Sequence, residues 1–491
     1  MIVPTMVPTI PAPAACTPAG AAPSPDSLAV AFAGRRVHFA GIGGSGMNGL
    51  AHMLLGAGAV VTGTDREDSA ILTSLREHGA AVALEYEQRS LPVGVELLVY
   101  SAALKADHPA LREAQRRGLP TLKYAQMLGE IMRHKQGIAI AGTHGKSTTT
   151  ALTAYILTRA GLDPSFVVGA SCRQLGGSAH AGRGNSFVVE ACEYDRSFHN
   201  LAPWIGAALN VEEDHLDYYG NLSEIVEAFG GFLARIPAAG LALIQNTASC
   251  QQAVAAVTAK VETYATFGPA DWTAHDVIQQ DHQLDFAVRY QGNLLGRMRL
   301  RIPGRHNIGN ALAAAAIAWH CGVPWAVITA AVGDFRGAGR RSEWLGCFKG
   351  ITLVDDYGHH PTEIRATLAA LREHYHPERL ICVFQPHQYS RTRLLLEDFV
   401  RSFNAADLTI VAEIYFVRDR QADRAAISAA TLVERMETQG REALYIPAFD
   451  HIVEHLAAAG RPGDLIVSMG AGPVWEVTHG LVRRLQSDSR T

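Results

Sequence analysis

Gly142-Thr143-His144-Gly145-Lys146-Ser147-Thr148 follows the apolar run 137–141 and precedes the helical pattern STTTALTAYILTRA. The backbone N–H groups of such a loop and the Lys146 ammonium suit triphosphate oxygens, and the Ser147 hydroxyl suits Mg²⁺. The strict spacing for this loop asks for glycine at 140, where the chain has Ile140, so the reading is a shortened variant. The strand pattern SFVVEA ends at Glu190, where a carboxylate would meet the metal, and His215 follows the strand IGAALNV. Mg²⁺ prefers oxygen, so one imidazole in its shell is unusual but tolerable. Taken singly, Glu190 reads equally as a solvated strand-end acid and His215 as a capping residue.

A second candidate lies nearer the start. Gly41, Gly43 and Gly46, with Gly44 and Ser45 between them, have the G-x-G-x-x-G spacing between the strand RRVHFAG and the helix MNGLAHMLLGAG. The first glycine permits a tight turn, the second lets a phosphate approach the backbone, and the helix start offers free N–H groups. Asp65 ends the next strand, where a ribose-binding acid sits in dinucleotide folds. The turn alone does not separate NAD from a uridine diphosphate, since both present a pyrophosphate. An NAD-dependent oxidoreductase is therefore one alternative, and a non-catalytic nucleotide switch is another.

Short apolar runs alternate with helical patterns along the chain, the mark of βαβ units and parallel sheets. The expected class is α/β with three domains: Rossmann-like at the N-terminus, a central P-loop-type ATPase with a mainly parallel sheet, and Rossmann-like at the C-terminus. The expected boundaries are a Pro/Ala-rich disordered tail over 1–30, then domains over 31–130, 131–335 and 336–491, with a glycine-bearing hinge near 333–342. A length of 491 residues, 48% hydrophobic and 18% charged, suits about three soluble domains. The formal net charge of −4 gives no basis for a nucleic-acid or membrane coat. Seven scattered cysteines without a C-x-x-C pair read as reduced thiols, which places the protein in the cytoplasm. The alanine-rich stretch 311–333, broken by His320, Gly322 and Pro324, reads as helix, turn and helix, not a membrane span.

GTHGKST, E-x-x-E-x-D, NVEEDHLD, PGRHNIGNALAA, RRSE, DDYGHHP and FQPHQYSRTR occur in this order over nearly the whole chain. The set resembles the Mur ligases, which use ATP to join amino acids to a UDP-linked sugar acid. DDYGHHP and FQPHQYSRTR point within the family to the branch that adds L-alanine to UDP-N-acetylmuramate in the cytoplasm, during peptidoglycan precursor synthesis. The E-x-x-E-Y-D form is also similar to the branch that recycles a murein tripeptide. Gln388 stands where the family usually has a cation. The resemblance implies that Gly41 to Gly46 hold the UDP moiety, with Asp65 towards the nucleoside. Lys146 would contact the β/γ-phosphates, and Ser147, Glu190 and His215 would face Mg²⁺. Asn307 would recognise adenine, and Arg340 would reach ATP or the muramoyl carboxylate. Asp356, Tyr357, His359, His387 and Arg391 would line the amino-acid and transfer site. The implied partners are small molecules only: ATP, UDP-N-acetylmuramate and L-alanine.

The chemistry accounts for this demand for cations. A carboxylate is a poor electrophile until phosphorylated, and both phosphoryl transfer and amine attack bring anions together. The amine must arrive unprotonated, and histidine is a plausible acceptor. His359, His360 and His387 remain equal candidates on sequence alone.

Overall fold

The computed structural model describes residues 27–85, 90–215, 218–417 and 419–487, the Ser45 and Ser487 side chains excepted. Residues 1–26 of the expected tail lie outside that set.

Three sheets organise the chain, giving the expected three-domain α/β architecture. The first has the order β3-β2-β1-β4-β5, all parallel, from β1 (Arg36–Ala40), β2 (Val60–Asp65), β3 (Ala81–Leu84), β4 (Leu97–Tyr100) and β5 (Thr121–Lys123). The second contains β6 (Gln136–Ala141), β7 (Ser165–Cys172), β8 (Gly177–His180), β9 (Ser186–Glu190), β10 (Ile205–Ala208), β11 (Leu241–Gln245), β12 (Lys260–Ala265), β13 (Trp272–Gln280), β14 (Gln283–Tyr290) and β15 (Asn293–Leu300). Its order is β15-β14-β13-β12-β11-β10-β6-β9-β7-β8, with β6 central and parallel to β9 and β10. The third is β16-β17-β21-β18-β19-β20, from β16 (Glu343–Phe348), β17 (Ile351–Asp356), β18 (Arg379–Phe384), β19 (Leu408–Val411), β20 (Ala443–Tyr445) and β21 (Asp464–Met469). Only the β16–β17 pairing in it is antiparallel.

Strands buried on both faces must be apolar throughout, so β6, β18 and β21 read as unbroken runs and not as alternating ones. In the third sheet successive side chains split between two cores. Leu380, Cys382 and Phe384 face Ile364 and Leu368, whereas Ile381 and Val383 face Val477 and Leu481.

By its internal contacts the chain forms two compact units. Among the described residues, one comprises those up to 277 with 285–299 and 309–335; the other comprises 278–284, 300–308 and those from 336 to 487. In the first unit one apolar core runs from Leu50 and Leu54 through Ile131 to Phe187, Val189 and Phe229, so the first two sheets share packing. Their helices are α1 (Ser45–Gly56), after β1, and α2 (Lys146–Arg159), after β6. The alanine-rich stretch forms α3 (His306–His320) and α4 (Trp325–Asp334), separated by Gly322 at φ +81°. In the second unit α5 (Pro361–Tyr375) follows β17 and α6 (Tyr389–Leu394) follows β18. Among the described residues no helix is long and apolar enough to cross a membrane.

Candidate active site

The glycine turn follows β1 as the spacing requires. Gly41 has φ +78°, a conformation only glycine adopts freely, and a Cβ there would lie 3.1 Å from Ser101 Cβ. A Cβ at Gly46 would lie 2.4 Å from the Tyr124 hydroxyl, so this glycine admits the tyrosine against the start of α1. Asp65 does more than end β2: its Oδ2 accepts the Gly43 N–H at 2.7 Å, pinning the turn. Gly44 is exposed between them.

The loop between β6 and α2 is built from behind by the segment after β10. Asn210 Oδ1 accepts the His144 N–H at 2.7 Å, and Asn210 Nδ2 donates to the His144 carbonyl at 3.0 Å. The Thr143 hydroxyl accepts the Glu212 N–H at 2.9 Å. Gly145 has φ +84°, and a Cβ there would meet Asn310 Oδ1 at 2.5 Å, which sets Asn310 against the loop. Gly142, at φ +153°, lies against Leu209 in the same way. Ser147 and Thr148 are buried in the first turn of α2.

The Lys146 ammonium donates to the Gly142 and Thr143 carbonyls and, at 2.9 Å, to Glu193 Oε1. Burial alone would depress the lysine, but the Glu193 carboxylate outweighs it and holds the ammonium above its ordinary value. Glu193 is fully buried, yet Lys146 and His215 pull its carboxyl below the usual range. His215 Nε2 stands 3.5 Å from Glu193 Oε1 and 3.8 Å from Asp214 Oδ2. One ligand atom from each of Glu193, Asp214 and His215 lies within 4.8 Å of the other two. Glu193 Oε2 has no hydrogen-bond partner despite its burial, and a carboxylate oxygen in that state fits a cation. Two carboxylates and one imidazole suit a divalent ion. Glu190, the strand-end acid expected to face the metal, accepts the Gly169 N–H through Oε2 at 2.9 Å. Glu193, Asp214, Asn210 and Asn310 were not singled out, although the E-x-x-E repeat and the NVEED segment carried the signal for three of them.

The second unit gathers another cluster. Asp356 Oδ2 accepts the Ser342 N–H at 2.6 Å and Oδ1 accepts the Gly358 N–H at 2.7 Å. Burial pushes this carboxyl up to about 6, against the pull of Arg341 and the two backbone donors. Arg340 donates to Asp355 Oδ2 at 3.1 Å and to the Gly470 and Gly472 carbonyls at 2.7 and 3.2 Å. The Tyr357 ring receives the guanidinium carbons of Arg340 and Arg341 at 5.1 and 5.0 Å. His359 and His387, far apart in sequence, come together with ring centroids 5.9 Å apart. His360 separates from them: it caps α5, its Nδ1 accepting the Thr362 N–H, with Glu363 completing the box. Arg391 lies in α6, half-buried. Gln388 is buried at the start of α6. Asn307, in the first turn of α3, donates to the Pro303 carbonyl at 2.6 Å.

A phosphate loop backed by a lysine–carboxylate–imidazole cluster defines a nucleotide-binding α/β protein. Three family models match in chain order: the Mur ligase family catalytic domain over 36–136, the Mur ligase middle domain over 140–318, and the Mur ligase glutamate ligase domain over 340–472. A UDP-N-acetylmuramate–L-alanine ligase from Caldanaerobacter subterraneus subsp. tengcongensis is 40% identical over 446 residues, covering 90% of this chain and 96% of the relative. The crystal structure of UDP-N-acetylmuramate–alanine ligase from Thermotoga maritima superposes with a TM-score of 0.76 at 24% identity, covering 92% of this chain and 99% of that one. A murein peptide ligase from Psychrobacter arcticus gives a TM-score of 0.65 at 26% identity over the same shares. The chain belongs to the Mur ligase family, and it is a ligase.

Proposed function

We propose that this enzyme uses ATP to join L-alanine to the muramoyl carboxylate of UDP-N-acetylmuramate in the cytoplasm, as a step of peptidoglycan precursor synthesis. The observation that carries this reading is the Lys146–Glu193 pair at the mouth of the phosphate loop, beside Asp214 and His215. The likeness to the alanine-adding relative supports the substrates.

Under this reading the loop 142–148 cradles the triphosphate, and Lys146 exchanges Glu193 for phosphate oxygens. Glu193, Asp214 and His215, with Ser147, would hold Mg²⁺, which supplies charge neutralisation when bound. The γ-phosphoryl passes to the muramoyl carboxylate, giving an acyl phosphate and ADP. The alanine amine then attacks the acyl carbon, and phosphate leaves as the amide forms. Gly41 to Gly46 bind the uridine diphosphate, with Asp65 fixing the turn. Asn307 and Arg340 serve the nucleotide, and Asp356, Tyr357, His359, His387 and Arg391 serve the amino acid and the transfer. A histidine takes the amine proton; the juxtaposed His359 and His387 are the pair suited to it, since His360 is engaged as a cap.

The test is phosphate release and product mass with ATP, UDP-N-acetylmuramate and an equal mixture of twenty amino acids and the murein tripeptide. The expected product gains one alanine, and release requires both acceptor and amino acid. Lys146→Ala is expected to lower turnover by more than a hundredfold while UDP-N-acetylmuramate still binds, by calorimetry. A tripeptide adduct, or hydrolysis equal with and without acceptor, overturns the assignment.

A further inference from the structure

Tyr415 lies 28 residues beyond His387, in the segment after β19, and none of the motifs above contains it. The fold joins the two directly. Their backbones form an isolated parallel bridge, with the Tyr415 N–H donating to the Pro386 carbonyl at 2.9 Å and the Gln388 N–H donating to the Tyr415 carbonyl at 3.1 Å. Their rings stack at 5.6 Å between centroids with planes 27° apart. His387 in turn faces His359 at 5.9 Å, and His359 meets Tyr357 edge-on at 5.6 Å. Tyr357 carries the two arginines on its ring. A continuous ladder thus runs from Tyr415 through His387, His359 and Tyr357 to Arg340 and Arg341, with Tyr415 as its outer rung.

The far side of that rung is also built. Gly472 leaves room for it: a Cβ at this position would lie 3.2 Å from Tyr415 Cγ and 2.3 Å from Gln385 Oε1. His387 needs such support. It is followed by Gln388 at φ +73°, a conformation that costs a non-glycine residue energy and must be held by its surroundings. The two Tyr415 backbone bonds hold that corner, and its ring limits rotation of the imidazole. Tyr415 as a residue remains 39% exposed, so the stack stands at the edge of the cluster and not in a core.

We propose that Tyr415 is a positioning residue for His387: its ring fixes the plane of the imidazole that serves the amino acid in the transfer step. The inference rests on the proposed reaction for its kinetic consequence, whereas the stack itself is testable without it.

The experiment compares wild type, Tyr415→Leu and Tyr415→Phe. An aromatic stack of ordinary strength corresponds to about a fivefold to tenfold effect. Tyr415→Leu is expected to lower kcat/KM for L-alanine by about that factor with KM for ATP and for UDP-N-acetylmuramate unchanged. Tyr415→Phe, which keeps the ring, is expected to recover most of the loss. In parallel, the rate at which diethylpyrocarbonate modifies His387, read by mass spectrometry, should rise severalfold in Tyr415→Leu and not in Tyr415→Phe. Equal loss in both variants, a loss spread over all three substrates, or unchanged His387 reactivity in Tyr415→Leu overturns the inference. Wild-type protein that makes no alanine adduct overturns the proposed reaction instead, and the reactivity comparison then still decides whether Tyr415 holds His387.

Discussion

Glu193 ties the lysine of the phosphate loop to a cluster of charged groups. It binds Lys146 at 2.9 Å, faces His215 at 3.5 Å, and keeps one oxygen unpartnered although buried. Removing its charge leaves a buried ammonium without its counter-ion and removes one oxygen donor from the cation cluster. Glu193→Gln is therefore expected to lower phosphate release by at least a hundredfold, with UDP-N-acetylmuramate affinity within twofold by calorimetry. Activity within threefold of wild type would remove Glu193 from the site. The lysine and the glycines were legible in the sequence because their chemistry is local: a strand, a turn with positive φ and a helix start suffice. The contact of Lys146 with Glu193 was not. It depends on how the chain leaves β9, and Asp195 and Arg196 there take left-handed conformations (φ 53° and 49°) that no spacing rule anticipates. His387 and Tyr415 were illegible as a pair for a related reason, since their pairing depends on β18 and β19 lying side by side.

At the scale of elements, the parallel strands β1, β6, β10, β17, β18, β19 and β21 announced themselves through short, largely apolar runs. The far edge of the central sheet did not, because β13 mixes polar and apolar residues without a clear period and ends in glutamines. What welds that edge is a buried carboxylate. Glu262 on β12 accepts from Trp272 Nε1 at 2.8 Å and the Tyr290 hydroxyl at 2.8 Å, lies 2.9 Å from His320 Nε2, and pairs with Lys260 at 2.6 Å. These partners come from β13, β14 and α3 as well as β12 itself. Burial pushes the carboxyl up, but His320, Lys260 and Trp272 together bring it down to about 2 from 4.5. A depressed carboxyl stabilises the fold above its unfolded value and loses that contribution as pH falls towards the folded one. The stability of the first unit should therefore decline between about pH 4.5 and 2, by about 3 kcal/mol from this group. Glu262→Gln is expected to cost about 3 kcal/mol at pH 7 in urea unfolding and to flatten that acid decline. An unchanged acid limb would show that the network is not the cause.

At the scale of the molecule, the distribution of the candidate sites over the two units gives a test that needs no turnover. The glycine turn 41–46 and the phosphate loop 142–148 both belong to the first unit, at the ends of different sheets, whereas Asp356 to Arg391 belong to the second. Two nucleotides bound at separate strand–turn–helix junctions must each quiet their own backbone, because N–H groups that hold phosphate exchange slowly. Hydrogen exchange with a non-hydrolysable ATP analogue and Mg²⁺ should therefore protect 142–148 and 190–215. UDP-N-acetylmuramate alone should protect 41–46 and the end of β2 at Asp65. With both present the protections should add. If the two ligands slowed the same peptides, or if either displaced the other, one nucleotide site would serve both, and the division of labour between the glycine turn and the phosphate loop would be lost.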